Sequence, residues 1–203
     1  MFPIQAKCGL DVVKDYVHNT NTSRIYGFIL YTKQNPYVAK VLRDNDFWDA
    51  LDEKSGKNWP VFAVRPLDKG YYDTNTPSNP NTIGFMVQTW TEPSANKEIL
   101  HEFGLSSSED LPCFVAFMWD DNDNLQSITI PIVGKDVDSV FLSIETIVKI
   151  ISDTEQRILP QYKRNVEVFR NVADELNALK FRYKMKSLGK ITKMLSDFLG
   201  VFK

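Results

Sequence analysis

Two cysteines, two histidines and a handful of hydroxyls are the side chains in this 203-residue sequence from which reactive chemistry would have to be built. A cysteine acts as a nucleophile only as its thiolate, which requires an exposed sulfur with help from a cation or a helix N-terminus. Cys113 lies in EDLPCFVAF, residues 109 to 117, directly after Leu111-Pro112, and opens the apolar run from Cys113 to Trp119. In that setting a cysteine reads as a small buried apolar residue. Cys8 and Cys113 are too few and too far apart to form a disulfide framework, and a reducing cytoplasmic setting is expected. His18 and His101 fall in separate predicted helices with no cysteine or carboxylate at ligand spacing, so no metal site is expected. The run DDNDN at 120 to 124 has the flavour of a calcium loop. Its sixth position is Leu125 where glycine is needed, and its twelfth is Pro131 where glutamate is needed, so it reads as a polar turn. Phosphate-loop, dinucleotide, serine-hydrolase and zincin motifs are missing from the sequence, and no cofactor is expected.

The elements that would position these residues follow from periodicity. With 43% hydrophobic and 25% charged residues the chain is in the globular class, with one main core expected. The start MFPIQAKCGL has no basic leader or cleavage pattern, and no apolar run reaches the roughly 20 residues of a membrane span. Leu10 to His18 has helical spacing. Ile25 to Thr32 is β-branched, aromatic and almost continuously apolar, as a strand covered on both faces must be. Pro36 to Leu51 returns to helical spacing, and Pro60 to Pro66 is a second buried strand. Asp68 to Ile83 reads as a long loop, from which Tyr71 and Tyr72, together with Trp90 just beyond, are candidates to flank a groove. Phe85 to Trp90 is a doubtful extra strand, and Ser94 to Phe103 a helix closed by Gly104. Cys113 to Trp119 and Leu125 to Ile132 form a hairpin around the polar turn, followed by an amphipathic helix from Asp136 to Ile151 with an acidic start.

The order helix, strand, helix, strand, helix, strand, strand, helix, with Leu111-Pro112 leading into the hairpin, resembles the thioredoxin-like fold. The resemblance is carried by EFGLSSSEDLPCFVAFMWDDNDNLQSITIPIVGKDVDSVFLSIETIVKII, residues 102 to 151, and covers roughly residues 20 to 152. It implies an α/β domain over 1–152, a mixed sheet flanked by helices, with a cis bond at Leu111–Pro112 and a helical extension over 153–203. Redox members carry C-x-x-C after the first central strand; here that place is Thr32-Lys33-Gln34-Asn35-Pro36 and holds no cysteine. The resemblance therefore implies a module without dithiol chemistry. Its cleft residues would be Thr32, Pro112 and Cys113, and the alternative is a thiol- or glutathione-dependent enzyme working through Cys113 or Thr32 beside Pro112.

Charge sets the C-terminal segment apart. Residues 178–203 hold seven of the 24 Lys/Arg and one of the 26 Asp/Glu, which makes them +6 and leaves the body, with 17 bases against 25 acids, at −8. An acidic body lacks the clustered basic face that phosphate binding needs, so no nucleic-acid partner is expected. From Pro160 onward Tyr162, Val166, Phe169, Ala173, Leu176 and Tyr183 form one helical stripe, and Leu188, Ile191, Leu195, Phe198 and Phe202 a second, with a bend expected at Ser187 to Gly189. Three readings follow for this appendage: packing on the body or on a second copy, an interaction arm for a protein partner, and peripheral membrane contact. The function expected is a binding or assembly module, homo-oligomeric or partner-bound through this helix.

Overall fold

The computed structural model describes residues 2–3, 13–15, 25–32, 34–55, 59–63, 99–106, 109–158 and 165–200, with the backbone alone for 2–3 and 187–200. Five strands form one mixed sheet: β1 (Phe2–Pro3), β2 (Tyr26–Leu30), β3 (Val61–Ala63), β4 (Cys113–Trp119) and β5 (Leu125–Pro131), in the order β1-β3-β2-β4-β5. β3 is parallel to both β1 and β2, whereas β4 is antiparallel to β2 and to β5. The two-residue β1 was not predicted, because a pair of residues is too short to show an alternation. Residues 13–15 and 99–102 are helical; the rest of the predicted helices 10–18 and 94–103, the long loop and the doubtful strand at 85–90 lie outside the described residues.

β4 lies inside the sheet between β2 and the edge strand β5, and Cys113 to Met118 are all buried. Alternate residues point to opposite faces of a strand, so β4 is divided between two cores. Phe114, Ala116 and Met118 join the core with the helices that follow β2 and the hairpin, while Cys113, Val115 and Phe117 meet Val13, Ile99 and Leu100 on the other side. In that second core Phe28 of β2 stacks on Phe117 with ring centroids 5.0 Å apart.

One predicted helix over 36–51 is two in the structure, α1 (Pro36–Arg43) and α2 (Asn45–Ser55). Asp44 is the reason. It is extended (φ −68°, ψ 126°), and its Oδ1 accepts hydrogen bonds from the amides of Asp46 at 2.9 Å and Phe47 at 3.3 Å. Such a cap satisfies amides that have no partner inside the helix, and so starts a new one. Val38, Val41 and Leu42 of α1 and Trp48 and Leu51 of α2 are buried on the sheet. The helix containing His101 ends as predicted at Gly104, whose φ of 62° lets the amide of Leu105 reach back to the carbonyl of Leu100 at 2.8 Å.

α3 (Val137–Ile158) runs seven residues past the predicted end and buries Val140, Ile144, Ile147, Val148, Ile151 and Ile158. Trp59 is locked beneath it: its indole N–H donates to Ser152 Oγ at 2.9 Å, and that hydroxyl donates to the Lys54 carbonyl at 2.8 Å. The C-terminal segment is a single helix, α4 (Asn165–Gly200), of 36 residues. The bend expected at Ser187 to Gly189 is absent as a break in the helix. A glycine inside a helix costs only about 1 kcal/mol, which its strong helix-forming neighbours offset. Val168, Phe169, Val172, Leu176 and Leu179 of α4 are buried in the same core as α3.

Gly27 of β2 allows the two central strands to carry large rings on this face. A Cβ there would lie 2.5 Å from Phe114 Cζ and 3.2 Å from Trp59 Cζ3. Overpacking of this kind costs about 1–3 kcal/mol. Gly27→Val is expected to lower stability by about that amount in urea unfolding, with an unchanged m-value; a variant as stable as the wild type would show that the ring stack has slack.

Candidate functional site

The residues singled out beside the Leu111–Pro112 bond do come together. The bond is cis. The β2–β4 register ends at Leu30 opposite Cys113, so Tyr31 and Thr32 leave β2 at the end of the sheet where Leu111-Pro112 enters β4. Pro112 is half-buried and its carbonyl accepts from the Ile132 amide at 3.0 Å, which fixes the end of the hairpin.

Convergence has not produced a reactive group. Thr32 is buried and its polar atoms serve the turn that follows. Its hydroxyl donates to Asn35 Oδ1 and accepts from the Gln34 amide, both at 3.2 Å, and its amide donates to Asn35 Oδ1 at 2.8 Å. Asn35, the residue before α1, therefore turns its side chain back to Thr32 rather than capping the helix. A threonine held in this way has no hydroxyl proton left to offer a bound thiol.

Cys113 is fully buried between Leu30 and Pro131 on the neighbouring strands. Burial, reinforced by the Asp110 carboxylate and opposed by the Lys180 ammonium, pushes its thiol from an ordinary value of 9.0 up to about 12. At neutral pH it is a neutral thiol without access to solvent, the opposite of an activated nucleophile. Tyr31, on the opposite face of β2, is likewise pushed up by burial, with the Arg43 charge working against the rise.

Tyr71, Tyr72 and Trp90 lie outside the described residues, as does Phe202. Leu188, Ile191, Leu195 and Phe198 fall within the helical backbone of α4. Among the described residues no group of three His, Cys, Asp or Glu is placed to hold a metal ion, and no helix is long and apolar enough to cross a membrane. A depression of about 610 Å³ lies at the junction of α1 and α2 and is lined by Lys40, Arg43, Asp44, Asn45, Asp46 and Val137. Asp44 there is already occupied as the cap of α2.

Exposed large apolar side chains among the described residues are Tyr37, Val133, Leu142 and, on α4, Phe181 and Met185. After Leu179 at 4% exposure, Phe181 is 62% and Met185 51% exposed. Lys180, Arg182, Lys184 and Lys186 alternate with them and are exposed as well. At 100° per residue Phe181 is half a turn round the helix from Leu179 and Val172, so the apolar pair begins on the side facing away from the core. Phe181 and Met185 lie outside both stripes read from the sequence. The signal was available: counting back from Leu188 by three and by seven gives these two residues.

No protein-family model matches this sequence, and neither the curated proteins nor the solved structures include a significant match. The function must be argued from the chain itself.

The raised thiol has a measurable consequence. Between about pH 9 and 12 the unfolded chain releases the Cys113 proton and the folded chain keeps it, so the contribution to stability is complete below pH 9 and is lost as pH rises. We expect the stability of the wild type to fall more steeply over this window than that of Cys113→Ala, by up to about 1.4 kcal/mol per pH unit. Equal slopes in denaturant titrations would mean that the thiol titrates normally in the fold.

Proposed function

We propose that this protein is a non-redox, thioredoxin-like binding or assembly module that acts through protein–protein contacts made by its C-terminal helix. Support for the thioredoxin-like layer is the parallel β2–β3 crossover through α1 and α2, the antiparallel β4–β5 hairpin entered through Leu111-Pro112, and the closing helix α3. Against the enzyme alternative stand the burial of Cys113 and the engaged hydroxyl of Thr32.

One observation carries the assembly reading: α4 is anchored by one side and bare on the other. Burying Val168, Phe169, Val172, Leu176 and Leu179 supplies roughly 1.5–3 kcal/mol for each side chain before ordering costs, enough to fix the first half of the helix on the core. Phe181 and Met185 then sit in water on the opposite side of a rigid support. A fixed, pre-formed helix face loses little entropy when a partner covers it, which is what an amphipathic docking element requires. At 1.5 Å per residue α4 is about 54 Å long, whereas a body of this size spans only about 40 Å.

The test is a pair of exposed changes, Phe181→Asp with Met185→Asp, which should leave the thermal melt within a few degrees of the wild type. Sedimentation velocity of both proteins, alone and in extract of the cells of origin, should show a larger species for the wild type in at least one condition and its loss in the variant. Identical profiles in both conditions would overturn the reading. In a separate assay with dithiothreitol as donor, the protein should reduce a disulfide substrate no faster than the uncatalysed rate, because residues 32–36 offer no thiol pair. Catalysis that disappears in Cys113→Ser would favour the enzyme alternative.

A further inference from the structure

We infer that the partner covering the exposed side of α4 is a second copy of this chain, each copy laying its distal helix on the α2–α3 face of the other. The inference rests on the assembly reading above and adds the identity of the partner and the surface it uses. The first observation is charge. The segment from residue 178 onward is +6 and the body is −8, so the complementary surface is carried on the same chain. Pairing two distal helices with each other would set +6 against +6, and an anionic lipid surface would repel the body that the helix brings with it.

The second observation is geometric. α4 is one unbroken helix, and Phe181 and Met185 lie on the side opposite its own core contacts, so these two side chains are not covered by the chain's own body. The complementary surface is the outer side of α2 and α3. There Leu142 is 55% exposed, one helical turn beyond Asp138, and the half-buried rings of Phe47 and Phe141 stack with centroids 4.6 Å apart. Asp46 and Glu53 on α2 and Asp138 on α3 are exposed on these two helices, whose cations Lys54 and Lys149 are paired with Glu145 and Asp153. An apolar line between cations thus faces an apolar strip on helices that carry exposed carboxylates. A reciprocal exchange forms the contact twice and closes as a two-fold dimer, with no open end to propagate.

Charge reversal decides the question on the full-length chain. In sedimentation equilibrium at low salt the wild type should be a dimer that dissociates as salt is raised. Arg182→Glu with Lys186→Glu should be monomeric, and so should Glu53→Lys with Asp138→Lys. An equimolar mixture of the two double variants should restore a dimer, because each reversed helix then meets a reversed body. Thermal melts close to the wild type, and the restored mixture itself, separate lost docking from lost folding. A monomeric wild type overturns the proposal, whether or not it binds vesicles of anionic phospholipid or a different protein. A dimer that survives both reversals, or a mixture that stays monomeric, overturns it too. In the monomeric case the Phe181 and Met185 comparison in extract still decides the assembly reading independently.

Discussion

Burial of β4 on both faces is the constraint from which the rest of the architecture follows. Six consecutive residues, Cys113 to Met118, are at most 1% exposed, so helices must cover the sheet on either side of this strand. Antiparallel pairing with β2 on one edge and β5 on the other satisfies its backbone groups. Phe114 needs the space that Gly27 leaves open, and Phe117 needs Phe28 as a stacking partner. Only a strand that stays apolar along its whole length tolerates this position, and a cysteine at its first residue is chosen by size and apolarity. The silence of the Cys113 thiol is thus a consequence of the sheet, as is the closed turn at Thr32, which lies where β2 runs out beside Pro112.

The same core reaches beyond the sheet through α3. Ile151 and Ile158 continue its buried line, and Val172, Leu176 and Leu179 of α4 pack into it. The exposed ion pair of Arg157 with Glu175, at 3.0 Å, adds little to this by comparison. Trp59, Ser152 and the Lys54 carbonyl form a hydrogen-bonded chain linking α2 to α3 from within, satisfying an indole N–H that burial would otherwise penalise.

Much of this was legible in the sequence where a period ran long enough to be read. The strand Cys113 to Trp119 and its hairpin partner were found almost to the residue, because an unbroken apolar run bounded by a proline and by DDNDN leaves little choice of register. The break at Asp44 is not legible, since RDND offers four polar residues that would all suit a solvated helix face, and only the geometry shows one of them turning to cap its neighbours. Ser187 and Gly189 work in the other direction: weak helix formers suggest a bend that the continuous helix does not make. Thr32 and Leu111-Pro112 lie where β2 ends and β4 begins, at one end of the sheet. The chemical idleness of Thr32 and Cys113 depends on hydrogen bonds and burial, which a residue list does not contain. Phe181 and Met185 escaped notice because the stripe that buries Leu176 and the stripe beginning at Phe181 overlap in sequence while differing by half a turn in angle.

Core contacts gathered in the first half of a long helix make it a lever. Among the described side chains the packed residues run to Tyr183 and form the fulcrum, and the 17 residues from there to Gly200 measure about 26 Å along the helix. A change in packing at Leu176 or Leu179 that tilts the helix by about 10° would carry its far end through about 4.5 Å, most of one helical pitch. Small adjustments in the core beneath α3 are thereby amplified at a distance, so that the interior of the body and the reach of its arm are mechanically one variable.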